Sequence, residues 1–161
     1  MRTTMRWLAS LVLWTACTAE PAAAPEPVFA ASVASWQQGR ACMLSHEHEL
    51  RYVRVVVDAA AAIPYAMLAP EHPYPVGATL VKLEYDDPGC TALLGYTAMQ
   101  KQAAGSAPLA NDWRWQRVDA KRRVLEDGAP NSCVNCHRHH CEEPECGFPK
   151  CGFDLTCGLE P

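Results

Sequence analysis

Cys133-Val134-Asn135-Cys136-His137 carries the most specific chemistry in the chain, a C-x-x-C-H sequence. Two thiols at that spacing can add across the two vinyl groups on one edge of a porphyrin, and the following imidazole is then placed under the iron as an axial ligand. The motif therefore predicts one covalent haem c per chain, with Cys133, Cys136 and His137 as its ligands. Two other chemistries share these residue types. His139, His140 and Cys141 follow closely and could complete a zinc cluster. A redox dithiol is also conceivable, but the strand-then-helix pattern of a thioredoxin motif is missing around it.

The N-terminus reads as an export signal. Arg2 and Arg6 open a leader whose apolar run, Trp7 to Ala16, is too short to cross a bilayer permanently. Leu13-Trp14-Thr15-Ala16-Cys17 looks like a bacterial lipobox, with Cys17 as the acylated residue. Trp14 stands where Leu is usual. Plain secretion, with cleavage after a small residue such as Ala24, is the alternative. The domain plan is a lipoprotein signal at 1–16, an Ala/Pro-rich tether at 17–29 and a haem domain at 30–161, with a Cys-rich tail at 140–161. The expected location is the periplasm, or the outer membrane of a bacterium through an N-terminal lipid.

The nine cysteines fit the same compartment. Setting aside Cys17, Cys133 and Cys136 leaves Cys42, Cys90, Cys141, Cys146, Cys151 and Cys157. An even remainder favours three disulfides, although fifteen pairings are formally open. The four tail cysteines could instead hold zinc. A formal charge of -4 gives no basic face for nucleic acid. A composition 49% hydrophobic and 20% charged excludes wholesale disorder.

These groups need a scaffold. Residues 30–44 read as helical, with Val33, Trp36 and Met43 as core candidates. Arg51 to Val57 is β-branched and reads as a strand. Residues 58–67 read as a short helix broken by Pro64, and 70–77 as loop. Strands follow over 78–85 and 91–101, separated by the turn signal Asp86-Asp87-Pro88-Gly89. A loop at 103–110 precedes the alternating strand Trp113 to Val118 and a short return strand near 123–125. Short turns between successive strands predict an α+β fold, mainly an antiparallel β-sheet meander with flanking helices and the Cys-rich C-terminal tail. In the strand 78–85 the period of two puts Lys82 on one face with Ala78, Leu80 and Glu84. Thr79, Val81, Leu83 and Tyr85 take the other. His46, His48 and His72 are conceivable distal ligands but read first as surface histidines. Met43, Met67 and Met99 read as packing residues.

From Tyr74 to His137 the sequence resembles the cytochrome P-460 and cytochrome c'-beta group. Tyr74-Pro75-Val76-Gly77-Ala78-Thr79-Leu80-Val81-Lys82 is similar to the group's P-x-G-T-x-V-K. Tyr96-Thr97-Ala98-Met99 with Lys101 follows, then Asn111-Asp112-Trp113-Arg114-Trp115, similar to D-W-x-W, and the C-x-x-C-H closes the series in the same order. The resemblance implies a mainly β fold and a five-coordinate haem, with His137 proximal and the other face open to a small molecule. It also puts Lys82 on the position where, in the P-460 branch, a lysine is cross-linked to the porphyrin. The implied activity is oxidation of hydroxylamine or nitric oxide by a haem oxidoreductase, or capture of nitric oxide by a binding protein. The implied partners are a small nitrogen ligand, a redox-partner cytochrome and a second copy of the chain. Two departures stand out. Tyr96-Thr97-Ala98 lacks the acidic distal residue of the enzymatic members, unless Glu84 or Asp86 substitutes. A Cys-rich insertion also separates the haem motif from Asp154-Leu155, the one C-terminal point of similarity. A six-coordinate electron carrier and a non-haem lipoprotein stabilised by disulfides or zinc are the alternative readings.

Overall fold

A computed structural model describes residues 23–141 and 154–157. The leader, Cys17, Cys146 and Cys151 lie outside the described residues. Six strands form one antiparallel sheet in sequence order: β1 (Gln37–Ser45), β2 (Arg51–Val57), β3 (Thr79–Tyr85), β4 (Leu93–Lys101), β5 (Trp113–Asp119) and β6 (Val124–Gly128). Helix α1 (Ala62–Met67) follows β2, a 3-10 turn (Pro108–Ala110) precedes β5, and α2 (Asn131–Cys141) closes the domain. The fold is the α+β meander with two flanking helices. A disulfide joins Cys141 to Cys157 in the Cys-rich tail. Among the described residues no helix is long and apolar enough to cross a membrane.

β2 to β5 form because apolar β-branched and aromatic residues alternate with the pleat. Val57, Leu80, Met99 and Trp115 stand side by side across four strands. They belong to a front core with Tyr65, Tyr74, Trp113, Val134 and Leu155. Val56, Val81, Ala98 and Val118 point the other way and make a rear core with Phe29. The expected division of β3 between two faces is therefore present, with Leu80 in front and Val81 behind.

Four details differ from the sequence reading. Residues 37–45 are a strand, not the end of a helix; two register irregularities within the β1–β2 pairing break the period of two that would have revealed it. Gly39 in that strand is required by packing, since a Cβ there would stand 2.6 Å from the Tyr65 ring. Pro64 does not break α1, because it lies in the first turn, where its missing N–H costs nothing. The packed domain also starts before residue 30. Phe29 is buried, and Gln116 accepts the Val28 N–H and donates to the Glu26 carbonyl. The last residues assigned to the tether thus cover the rear of the sheet. Finally, α2 spans the whole C-x-x-C-H motif, an element that composition alone did not signal.

Disulfide Cys42–Cys90 ties β1 to the β3–β4 turn across 48 residues, with Cα atoms 6.0 Å apart. That turn is shaped by Asp87, whose carboxylate accepts from Ala92, Thr91 and Gly89; these hydrogen bonds, Ala92 first, hold its pKa below the usual value. The Cys141–Cys157 pair removes two thiolates that a four-cysteine zinc site in the tail would need.

Candidate functional site

Helix α2 lays one side on the front of the sheet. Val134 is buried there, and Cys133 packs against the same core. Cys133 and Cys136 are three residues apart and so fall on neighbouring turns of one helical face. Both are free thiols and partly open to solvent. The other described cysteines are paired in disulfides. Burial raises the pKa of both free thiols, which keeps them protonated at neutral pH.

His137 projects from the same face into the molecule. Its Nδ1 lies 2.8 Å from the Leu155 carbonyl oxygen. A carbonyl only accepts, so Nδ1 carries the proton and Nε2 keeps its lone pair. This is the anchoring that fixes the tautomer of metal-bound imidazoles. Leu155 is itself held in place. It is fully buried, and the carbonyl of neighbouring Asp154 accepts from Trp113 Nε1 at 2.8 Å. Tyr74 Oη and Thr156 Oγ1 are 3.1 Å apart, and Lys101 pairs with Asp154. The Tyr74, Lys101, Trp113 and Asp154-Leu155 positions of the resemblance thus converge on one task, holding the residue that orients His137. Burial first, then the Lys82 charge, pulls the His137 pKa down to about 4, so the ring is neutral at physiological pH.

Lys82 extends from β3 toward this helix. Burial lowers its pKa to about 8, with Glu84 opposing the shift. Its Nζ lies 2.6 Å from Nε2 of His48. His48 sits in the β1–β2 turn, with Ser45 Oγ 2.8 Å from its Nδ1. Its ring centre is 6.4 Å from that of His137, at an interplanar angle of 85°. Burial, with the Lys82 charge next, lowers its pKa to about 3. The expectation of a surface residue is therefore corrected for His48: the turn folds its ring back over the sheet. Glu49 and Leu50 adopt left-handed conformations (φ 58 and 57) to make that turn, costing about 1–2 kcal/mol each. Arg51, ion-paired to both Glu49 and Glu84, holds the turn in place. His46 stays exposed and His72 lies in the loop after α1.

Glu84 is the buried carboxylate of this face. Arg51 donates to one oxygen at 2.6 Å and Thr97 to the other at 2.5 Å. Both oxygens are engaged. Asp86 is exposed at the strand end. Trp115 stands edge-on to His137, with ring centres 6.2 Å apart. Its Nε1 is buried and has no hydrogen-bond partner. An unpaired buried donor costs about 1–3 kcal/mol, so it marks a place where a further acceptor would be stabilising. Two free thiols, an imidazole anchored through Nδ1 and an orphaned indole N–H, gathered at the front of the sheet, fit the haem group that the motif implies.

A rival metal arrangement lies at the outer side of α2. Ligand atoms of Glu47, Cys136 and His140 fall within 4.8 Å of one another. His140 and Glu47 are exposed, and Cys136 cannot serve as thiolate and thioether at once. The expected zinc partner Cys141 is in a disulfide. No protein-family model matches the chain, and no match to a curated protein is found.

Proposed function

We propose that this chain is an exported c-type monohaem protein, similar to the cytochrome P-460 and cytochrome c'-beta group, that binds or slowly oxidises small nitrogen species (hydroxylamine, nitric oxide). The observation that carries the reading is the contrast among the cysteines. In a chain whose other described cysteines are oxidised in pairs, Cys133 and Cys136 stay as thiols beside an imidazole whose Nε2 keeps its lone pair.

Cys133 and Cys136 would hold the haem. Each S–H adds across one vinyl group, sulfur to one carbon and hydrogen to the other, so no oxidant is consumed. His137 would hold the iron through Nε2, oriented by the Leu155 carbonyl. When bound, the haem supplies the redox-active, ligand-binding iron. Trp115 Nε1 offers a hydrogen bond beside His137. Lys82 is the candidate cross-link residue, and its lowered pKa leaves part of the population as the free amine, the form that can act as a nucleophile.

Slow turnover follows from the carboxylates. Tyr96-Thr97-Ala98 carries no carboxylate where the enzymatic members of the group have an acid, and Glu84 has both oxygens occupied by Arg51 and Thr97. A missing proton acceptor costs ~10²–10⁴ in rate. Binding of nitric oxide does not need that group. An N-terminal lipid on Cys17 would keep the domain at a membrane surface, within reach of a redox-partner cytochrome.

The test is attachment. Protein made with haem-maturation machinery should keep its haem through acid-acetone extraction, and the double variant Cys133→Ala, Cys136→Ala should lose it. A tryptic map then shows whether the Lys82 peptide is joined to the haem peptide. One zinc per chain and no haem would overturn the proposal in favour of the Glu47–Cys136–His140 arrangement.

A further inference from the structure

We infer that His48 is the second axial ligand of the iron held by His137, so that a small molecule binds only by displacing the His48 imidazole. The inference rests on the haem reading above and departs from the open distal face that the family resemblance implies.

Four observations carry it. The His48 and His137 rings stand edge-on, with centres 6.4 Å apart and planes at 85°. Two imidazoles that share one metal ion, each at roughly 2 Å, have ring centres roughly 6 Å apart. Each ring is also oriented through Nδ1, His137 by the Leu155 carbonyl and His48 by Ser45 Oγ. That leaves Nε2 as the ligating atom on both sides. Lys82 Nζ lies 2.6 Å from the His48 Nε2 and 3.4 Å from its Nδ1, beside the ring and not in line with the Nε2 lone pair. That lone pair is therefore left to a metal ion. Lastly, the turn adopts two left-handed residues in succession to bring the ring inward, and two ion pairs from Arg51 hold it so.

Other ligating side chains among the described residues are placed elsewhere. His46 and Met67 are exposed, His140 faces Glu47, and Met99 is buried in the front core. Displacement of His48 is also feasible. It belongs to the connection between β1 and β2, and its movement would break no strand pairing. The reading therefore predicts gated binding: the association rate for carbon monoxide with the reduced protein should level off at high ligand concentration, at the rate of His48 release.

The experiment uses the full holoprotein, with carbon monoxide as the probe. The oxidised wild type should give a low-spin electron paramagnetic resonance spectrum with two imidazole ligands. His48→Ala should lose that signal and turn high-spin, added imidazole should restore it, and carbon monoxide association should become linear in concentration. Lys82→Ala should stay low-spin. Should His48→Ala fail to mature, the wild-type near-infrared magnetic circular dichroism band decides, because bis-imidazole and imidazole–amine pairs absorb at different energies. A haem-bearing wild type with high-spin, five-coordinate iron overturns this inference alone, as does a low-spin signal lost in Lys82→Ala and kept in His48→Ala. A chain that carries no haem overturns the haem reading and this inference together.

Discussion

The two faces of the sheet are built from the same strands and do different work. The rear is closed. Val56, Val81, Ala98 and Val118 meet Phe29, with Val28, Val33 and Trp36 packed beside them. Among its buried polar groups, Gln116 is bonded to the Glu26–Val28 backbone, while Arg54 lies over the Tyr85 ring with its Nε unpaired. The front begins as an equally apolar layer around Trp113 and Trp115, then changes two residues along β3 and β4 to Lys82, Glu84 and Thr97, with His48 and His137 above them. An unpaired indole N–H and two free thiols remain there. Satisfied polar groups rigidify a fold, whereas unsatisfied ones among titratable side chains mark a place for a ligand.

The comparison is broken most severely by removing one large aromatic from each face. Trp113→Ala and Phe29→Ala should each destabilise the protein by about 3–5 kcal/mol, read by urea unfolding. The two should differ in a second readout. Trp113→Ala removes the bond to the Asp154 carbonyl and loosens Leu155, so the absorption spectrum of the holoprotein should change. Phe29→Ala should leave that spectrum as it was. Equal spectral effects would show that the faces are not separable.

A smaller effect is expected from Gln116→Ala. It leaves the Val28 N–H and the Glu26 carbonyl unpaired, at about 1–3 kcal/mol. Faster amide exchange at Val28, with unchanged exchange in α2, would keep the consequence on the rear face.

Acid should act on the front alone. His48 and His137 have pKa values of about 3 and 4 in the folded chain, against 6.5 when free. Between those values the unfolded chain binds more protons, so the stability of the haem-free protein should fall as pH drops from about 6.5 toward 4. His48→Gln should flatten that decline. A wild-type urea midpoint independent of pH over this window would show that neither ring is held neutral. The smallest effect is expected at the exposed end of the sheet. Arg123→Ala removes an ion pair with Asp119 whose arginine is largely solvated, and the change should stay within about 1 kcal/mol by urea unfolding.

Local pattern made most of the scaffold legible. β2 to β5 alternate cleanly, the Asp86–Gly89 turn carries its own hydrogen-bonding side chain, and Lys82 could be assigned a face by counting alone. β1 escaped because its pairing is bulged, and α2 because its polar, Cys- and His-rich composition has no strong apolar stripe. Its helical form is decided by packing of Val134 and Cys133 on the sheet.

At the site the division is sharper. The sequence by itself determined the spacing of Cys133, Cys136 and His137, because that motif is a property of five consecutive residues. It also determined that the remaining cysteines would seek partners. Only the tertiary structure decided which partners. Cys42 meets Cys90 and Cys141 meets Cys157 because β1 crosses the β3–β4 turn and the tail returns to α2. Only the tertiary structure, too, brought His48 to His137, 89 positions away along the sequence. An exposed turn and an inward turn can have the same composition; what separates them is a pair of left-handed residues and the two ion pairs of Arg51, one of them to a glutamate on another strand.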